Sequence, residues 1–313
     1  MPHQGYQILA GHTAATEYKA HVFTSAGELN VTTGGEAEIF ILGSGGSSGY
    51  SPADGGTPAG GGGGGGARVL LATLADSTFY QFTVGSTDNA SSASRLVGGS
   101  GSTGADWMRA HTDLAGNSLS GPALNIVYAN GGSQGGSGGW GGNANDGGSG
   151  GGGGDEDGEG GDGNSGSYPT PEGYGGSDAV SGGSGGGGGA GAASSSYHAS
   201  GGGIGGSGRA SNFVDGTSVN YGGGGGGFGM THGSGRAPGN DGGGEGGTNN
   251  NTTADLSGDS GTANRGGGGG GNYGAPTASH TQGIGGSGLV VVRYKTSLGL
   301  DVSGGNSTNV YTE

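Results

Sequence analysis

Cysteine is absent from the sequence, so the chain can form neither a disulfide bond nor a thiolate metal site. Hydrophobic and charged residues are also scarce, at 28% and 11% of the 313 residues. So few apolar side chains cannot fill the core of one or two ordinary domains. The chain is therefore either largely disordered, or held together over much of its length by backbone hydrogen bonds instead of side-chain burial.

Further absences disfavour several kinds of partner. No apolar run is long enough for a transmembrane helix, and the N-terminal residues lack the basic and apolar regions of a signal peptide. The formal net charge of −15 argues against nucleic acid and anionic membranes as partners. We therefore expect no membrane insertion and no nucleic-acid binding.

A catalytic motif is also missing. Residues 45–49 match the GxSxG pattern of α/β-hydrolases, but nothing else typical of that fold is present. Matches to the dinucleotide-binding pattern GxGxxG carry no weight in so glycine-rich a chain. We expect a protein that is not an enzyme and that needs no cofactor.

Glycine is abundant, with 94 residues. Six glycine-rich blocks recur at intervals of roughly 20 residues, a spacing typical of a repeated structural unit. In chain order, the six blocks are 182–189, 201–206, 222–227, 242–247, 266–271 and 283–288. A disordered Gly/Ser linker is the alternative interpretation; the similar lengths of the blocks and the apolar strands on either side argue against it.

Glycine loses more conformational freedom on folding than any other residue, so other interactions must offset the entropy cost of ordering it. The polyglycine II conformation, with three residues per turn, allows such interactions. Its N–H and C=O groups point outward, and without Cβ atoms several chains can pack side by side and bond to one another. Collagen is excluded, because no strict Gly-X-Y period persists.

Apolar runs on both sides of the glycine blocks predict β-strands. The run 37–42 becomes apolar on both faces, which is typical of a central strand. We predict a mainly β fold plus polyglycine II: an antiparallel β-sandwich base and a bundle of polyglycine II helices. The last strand is expected to pair back among the first ones. The predicted strands lie near residues 20–42, 67–84, 123–129 and 289–294.

The same patterns predict the domain organisation. Residues 106–111 are left as either a helical turn or a loop, and a short strand is expected at 309–311. In chain order, we predict an N-terminal arm (1–17), a β-sandwich base (18–130) with a glycine hairpin at 43–66, a polyglycine II bundle with display loops (131–288), a closing strand (289–296) and a C-terminal tail (297–313).

Three segments together suggest a family: Tyr18–Gly27, which contains HVFTSAG; Ala37–Gly46, which opens into glycine; and Gly285–Tyr294, which reads GGSGLVVVRY. This pattern resembles the glycine-rich domains of bacteriophage tail-fibre and tail proteins. More loosely, it is similar to the tip adhesins of T-even-like long tail fibres, whose polyglycine II sandwich carries receptor-binding loops. The acidic charge and the N-terminal arm depart from the attachment domains of such adhesins.

If the six blocks run alternately up and down, loops 190–200, 228–241 and 272–282 lie at the end distal to the sandwich, and loops 207–221 and 248–265 lie at the proximal end. Aromatic side chains on rigid loops suit receptor binding. The alternative is that the rings pack against glycine faces. The predicted receptor-binding residues are Tyr50, Tyr197, His198, Phe228, Met230, His232, Tyr273 and His280.

The acidic segment 155–162 offers oxygen ligands for calcium. It departs from the EF-hand pattern and from the calcium-binding nonapeptide repeat, so a solvated acidic loop is the simpler interpretation. Asp155, Asp157 and Glu159 are kept only as weak metal candidates, and no metal site is predicted.

Together with the resemblance, these features predict a phage tail-fibre or tail adhesin, extracellular on the virion, that binds a host-surface receptor without catalysis. The receptor is expected to be an outer-membrane protein or a glycan, and other tail or tail-fibre proteins are expected partners; a homo-oligomer is left open. The alternative is a purely structural virion fibre or decoration protein that binds no receptor.

Overall fold

The computed structural model describes residues 15–51, 56–85, 106–113, 127–138, 142–155, 157–180, 182–195, 201–230, 236–249, 254–274 and 280–313. Within these ranges the fold is mainly β, as predicted, and no helix is long and apolar enough to cross a membrane. The strands are β1 (Glu17–Phe23), β2 (Gly27–Thr33), β3 (Gly35–Leu42), β4 (Ala67–Leu74), β5 (Thr78–Thr83), β6 (Asp106–Asp113), β7 (Val127–Ala129), β8 (Arg209–Ser211), β9 (Val219–Tyr221), β10 (Thr248–Asn249), β11 (Ala254–Asp255), β12 (Leu289–Lys295), β13 (Asp301–Gly304) and β14 (Ser307–Thr312), with a 3-10 helix at Thr296–Leu298.

Two five-stranded antiparallel sheets form the base. The first sheet has the order β14-β1-β12-β3-β4, and the second has the order β13-β2-β5-β6-β7. Strand β12 lies between β1 and β3, with Val292 opposite both His21 and Ile39. The prediction that the last long strand pairs back among the first ones is confirmed.

The main core lies between the two sheets, where alternate residues of each strand point inward. Phe23 of the first sheet stacks on Phe82 of the second, with ring centroids 4.3 Å apart. The other face of the first sheet is also covered: Phe40 packs against Phe213 and Tyr221 of the β8–β9 hairpin, at 6.0 and 5.4 Å. Strands β3 and β12 in the middle of the first sheet are therefore buried on both faces, which explains why they are so apolar.

One of the sequence interpretations needs correction. Residues 106–113 are neither a helical turn nor a loop; they form β6, because pairing with β5 decides the conformation of a segment with little local preference. The predicted C-terminal tail contributes two strands to the base. The strand expected at 309–311 is confirmed as β14 at the edge of the first sheet, and β13 joins the second sheet.

A buried arginine fastens the C-terminal strand to the first sheet. The Arg293 side chain is only 7% exposed and forms ion pairs with Glu38 at 2.7 Å and with Glu313 at 2.6 Å. Its guanidinium lies 3.6 Å from the ring centroid of Phe213. One side chain thus connects β12, β3, the C-terminal residue and the β8–β9 hairpin.

A buried histidine lies beside the turn between β13 and β14. Nδ1 of His21 donates to the carbonyl of Gly304 at 2.9 Å, and Nε2 lies 3.3 Å from the hydroxyl of Tyr294. Burial lowers the pKa of His21 below 6.5, nearby Lys19 lowers it further, and the bond to Gly304 opposes both. Burial also raises the pKa of Tyr294 to about 12.

Glycine runs extend from the sandwich and bond laterally to one another. In the run 60–66, the N–H groups of residues 60, 63 and 66 donate to the segment 130–136, those of 61 and 64 donate to 185–188, and those of 62 and 65 donate to 266–269. The bonding partner changes with a period of three residues. Polyglycine II has the same period of three residues. We therefore interpret these runs as polyglycine II helices.

The directions of the runs differ from the prediction of simple up-and-down alternation. The first two blocks are parallel, because Gly203 and Gly206 donate to Ser184 and Gly187 in the same order along the chain. The third, fourth and fifth blocks are also mutually parallel by the same criterion. Alternation is therefore wrong for these blocks.

Return segments of mixed composition connect the parallel blocks. Residues 256–264 run antiparallel to the fourth block, since Asp259 and Thr262 donate to Glu245 and Gly242. Such a segment bonds as a further member of the bundle although it is not a glycine block. It brings the chain back to the sandwich before the fifth block begins.

The return segments were not predicted from the sequence because their glycines are few and widely spaced. Gly258 and Gly261 are three residues apart, and an added Cβ at either would overlap the carbonyl oxygen of Gly270 or Gly267 respectively. In a helix with three residues per turn, only one residue in three faces a given neighbour. Glycine at every third position is therefore enough for close packing against one neighbouring chain. A search for continuous glycine blocks does not detect this spacing.

Candidate functional site

The bundle places several loops far from the sandwich. Glycine run 43–49 leaves β3, run 60–66 leads into β4, and run 283–288 leads into β12. Hydrogen bonds from Ser48 to Gly283 and from Gly49 to Gly60 align the outer ends of these runs. A seven-residue run spans roughly 20 Å at a rise of about 3.1 Å per residue. We call the end that carries residues 50, 51, 56–59, 272–274 and 280–282 the far end.

Tyr273 contacts three other segments at the far end. It forms an antiparallel β-bridge with Pro58, its N–H donates to Leu256, and its ring stacks on Phe228 at 5.1 Å. The structure therefore brings two predicted site residues, Phe228 and Tyr273, into direct contact. Leu256 and Pro58 were not predicted from the sequence.

Ser51 ties the tip of the first glycine hairpin to the last loop. Its hydroxyl donates to the carbonyl of Thr57 at 2.5 Å and accepts from the N–H of Gly274 at 2.7 Å. Nε2 of His280 lies 3.3 Å from the Ser51 carbonyl. Ser51 is fully buried, whereas the preceding Tyr50 is 60% exposed. Tyr50 is thus presented to solvent from a fixed backbone.

Phe228 is buried and cannot contact a receptor directly. Its side chain is 0% exposed, and its N–H donates to the hydroxyl of Ser184 at 2.7 Å. That hydroxyl donates in turn to the carbonyl of Ala59 at 2.8 Å. For Phe228 the packing alternative is correct, because its buried ring stacks on the ring of Tyr273.

The remaining predicted residues divide into two groups. Met230 is 37% exposed, and Tyr273 and His280 are half-buried, so each presents some surface. The N–H of Met230 donates to Gly182 at 2.7 Å, which holds it beside the outer end of the first block. Tyr197, His198 and His232 lie outside the described residues.

The loop 248–265 was predicted at the proximal end, and this is wrong for its first part. Thr248 forms a bridge with Gly229, next to Phe228, and Leu256 bonds to Tyr273. Because the preceding block runs outward, the β10–β11 hairpin lies at the far end. By contrast, the predicted proximal position of loop 207–221 agrees with the packing of Phe213 and Tyr221 on Phe40.

The acidic segment begins at the far end and returns along the bundle. Asp155 is 7% exposed, and its N–H donates to Pro58. The N–H of Glu159 donates to the side chain of Asn143 at 3.0 Å. Among the residues that the structure describes, no three histidine or acidic side chains form a group that could hold a metal ion. Asp155, Asp157 and Glu159 therefore do not form such a group with one another.

Sandwich and glycine runs together define a β protein that displays loops on a glycine bundle. Residues 24–295 match the glycine-rich domain family, and the chain belongs to this family. The match begins just after β1 and ends with β12, so it includes the bundle and the sandwich strands from β2 to β12 but not β1, β13 and β14. No curated protein and no solved structure matches the chain.

Proposed function

We propose that this protein is a phage tail-fibre or tail adhesin that binds a host-surface receptor, without catalysis, through its far end. The observation that carries the proposal is the exposure of Tyr50 and Met230 on backbone that the bundle holds in place. The proposal also rests on the resemblance of the two end motifs to tail-fibre glycine-rich domains. Localisation on the virion is part of the proposal.

Rigid display of these side chains suits recognition for a physical reason. A loop that is ordered before binding loses less conformational entropy on association. Tyrosine gives a large contact surface with few rotatable bonds, and methionine adapts to an irregular partner. An outer-membrane protein or a surface glycan offers matching apolar or ring surfaces, and both stay within the proposal.

A purely structural virion fibre is the second candidate. The full burial of Phe228 favours it, because at least one far-end ring serves packing alone. In that case Tyr50 and Met230 are exposed residues without a partner. Immunogold labelling of virions tests the location that both candidates share, and receptor binding separates them.

The decisive experiment is adsorption blocking by purified protein. Wild-type protein should compete with phage for host cells, and the double variant Tyr50→Ala with Met230→Ala should block at least tenfold less well, about 1.4 kcal/mol of binding energy. Tyr174→Ala is the matched control, because Tyr174 is 37% exposed beside the inner end of the first block, where its N–H donates to Gly189. If wild-type protein blocks adsorption and none of the three substitutions changes this, the far end is not the receptor-binding site. If wild-type protein does not block adsorption, the structural candidate is favoured.

A further inference from the structure

The two sheets are joined at one side by the C-terminal segment, residues 301–312. Its first strand, β13, pairs with β2 at the edge of the second sheet, and its second strand, β14, pairs with β1 at the edge of the first sheet. Gly304 and Gly305 lie where the chain turns between the two strands, with φ angles of 121° and 92°, in the region that favours glycine. The chain therefore crosses from one sheet to the other at this turn.

Side chains hold β14 more firmly than β13. The hydroxyl of Tyr311 on β14 donates to Phe213 at 2.9 Å and accepts from Arg293 at 3.1 Å. Just before β14, the side chain of Asn306 accepts hydrogen bonds from two N–H groups of the turn between β1 and β2. In β13, by contrast, Val302 is the one buried residue. Strand β13 is therefore the part of the segment that can separate from its sheet most easily.

Two basic side chains of β1 hold β13 through its carbonyl groups. Nδ1 of His21 donates to Gly304 at 2.9 Å, and Nζ of Lys19 donates to Val302 at 3.5 Å. Residues 19 and 21 lie on the same face of β1, because side chains alternate along a strand. His21 is only 1% exposed, so a charge on its ring would be buried close to the positive charge of Lys19.

The groups around His21 offer little compensation for such a charge. Tyr294 on β12 is neutral, because burial raises its pKa to about 12. Thr308 on β14, 3.5 Å from Nδ1, does not titrate. Asp301 on β13 is exposed, and Glu28 on β2 alternates with the inward-facing Leu29 and so points to the outer face. The neutral form of His21 is therefore the one that fits the closed structure.

We propose that His21 is an acid-sensitive latch: its protonation releases β13 from the second sheet, while Asn306 and β14 stay attached to the first sheet. Separation of β13 lets water reach the imidazolium and moves the carbonyl groups of Val302 and Gly304 away from β1. Gly304 and Gly305 supply the conformational freedom for this movement. The released form has an open edge at β2.

The direction of the pH dependence follows from the environment of the ring. Burial is the main cause that lowers the pKa of His21 below 6.5 in the closed form, and Lys19 lowers it further. In the released form the ring is hydrated and its pKa returns towards 6.5. The closed form is therefore fully favoured above this pH. Below it, the equilibrium shifts towards release by up to about tenfold per pH unit.

Amide hydrogen exchange measured by NMR at several pH values between 5 and 8 tests the latch. Protection factors correct for the intrinsic effect of pH on exchange. For the hydrogen-bonded amides of residues 301–304 they should fall by up to about tenfold per pH unit below 6.5. The internal controls are residues 309–312 of β14 and the N–H of Asn306, which donates to Val22 at 2.8 Å. Their protection should stay constant over the same range.

His21→Gln is the matched variant, because its amide can donate to Gly304 but does not titrate in this range. Its protection at residues 301–304 should not depend on pH. If the variant does not fold, the NMR titration of the His21 ring in wild-type protein replaces it, and its midpoint must coincide with the loss of protection. Constant protection of residues 301–304 in wild type, an equal fall in β14, or the same fall in His21→Gln would overturn the proposal.

Discussion

His21 carries a pH dependence that can be predicted from a single side chain. Its pKa in the folded protein lies below 6.5, mainly because burial disfavours the charged imidazole. The unfolded chain therefore binds this proton more readily as the pH falls, so stability is full above about 6.5 and declines below it. One such proton changes the free energy of unfolding by at most about 1.4 kcal/mol per pH unit.

The measurement is denaturant unfolding at a series of pH values on both sides of 6.5, the ordinary pKa of histidine. His21→Gln is the matched variant, because its amide can still donate to Gly304 but does not titrate near neutral pH. Below pH 6.5, wild type should lose stability faster than the variant. Parallel curves for the two proteins would show that His21 contributes no pH dependence.

At the scale of elements, the Arg293 cluster should govern how firmly β14 and the β8–β9 hairpin are attached. Arg293→Ala removes two charged hydrogen bonds and leaves Glu38 and Glu313 without their cation. We expect a loss of about 2–3 kcal/mol and faster amide hydrogen exchange in residues 207–221 and 307–312.

Arg236→Ala provides the comparison for that experiment. Arg236 pairs with Asp255 and Asp259, whose side chains are 52% and 53% exposed, and it donates to Gly246 within the bundle. Its loss should increase hydrogen exchange around the fourth block and leave β14 unchanged. Increased exchange at β14 in this variant, or none in Arg293→Ala, would contradict the assignment.

An element could be predicted when its conformation follows from its own residues, and could not when it depends on pairing with another part of the chain. The run Leu289–Tyr294 could be predicted as a strand, because it is short and contains three consecutive β-branched valines. The strand at 106–113 does not, since its pairing with β5 comes from distant sequence. The return segments also escaped prediction, because spaced glycines such as Gly258 and Gly261 are common in loops. At the candidate site, Tyr50 and Met230 were predicted and are exposed, whereas the burial of Phe228 depends on Ser184 and Tyr273, which no local pattern connects to it.

At the scale of the whole molecule, the hydrogen bonds indicate that the sandwich and the bundle form one cooperative unit. The run 60–66 leads directly into β4, yet the N–H of Gly62 donates to Gly269, and its carbonyl accepts from Gly225. The chain segments that were predicted as separate domains therefore share their backbone bonds. We expect a single unfolding transition, with equal calorimetric and van't Hoff enthalpies.

Gly64→Ala makes the test sharper, because an added Cβ at this position would overlap the carbonyl oxygen of Gly222. Backbone cannot move aside as a side chain can, so the expected loss is about 3 kcal/mol or more, with one transition at a lower temperature. Gly175→Ala is the control, since its added Cβ would have its nearest neighbour at 3.2 Å. If the sandwich melts at its original temperature while the bundle of Gly64→Ala melts early, the two parts fold independently. A single shifted transition means that glycine backbone contacts stabilise the sandwich as well as the far end.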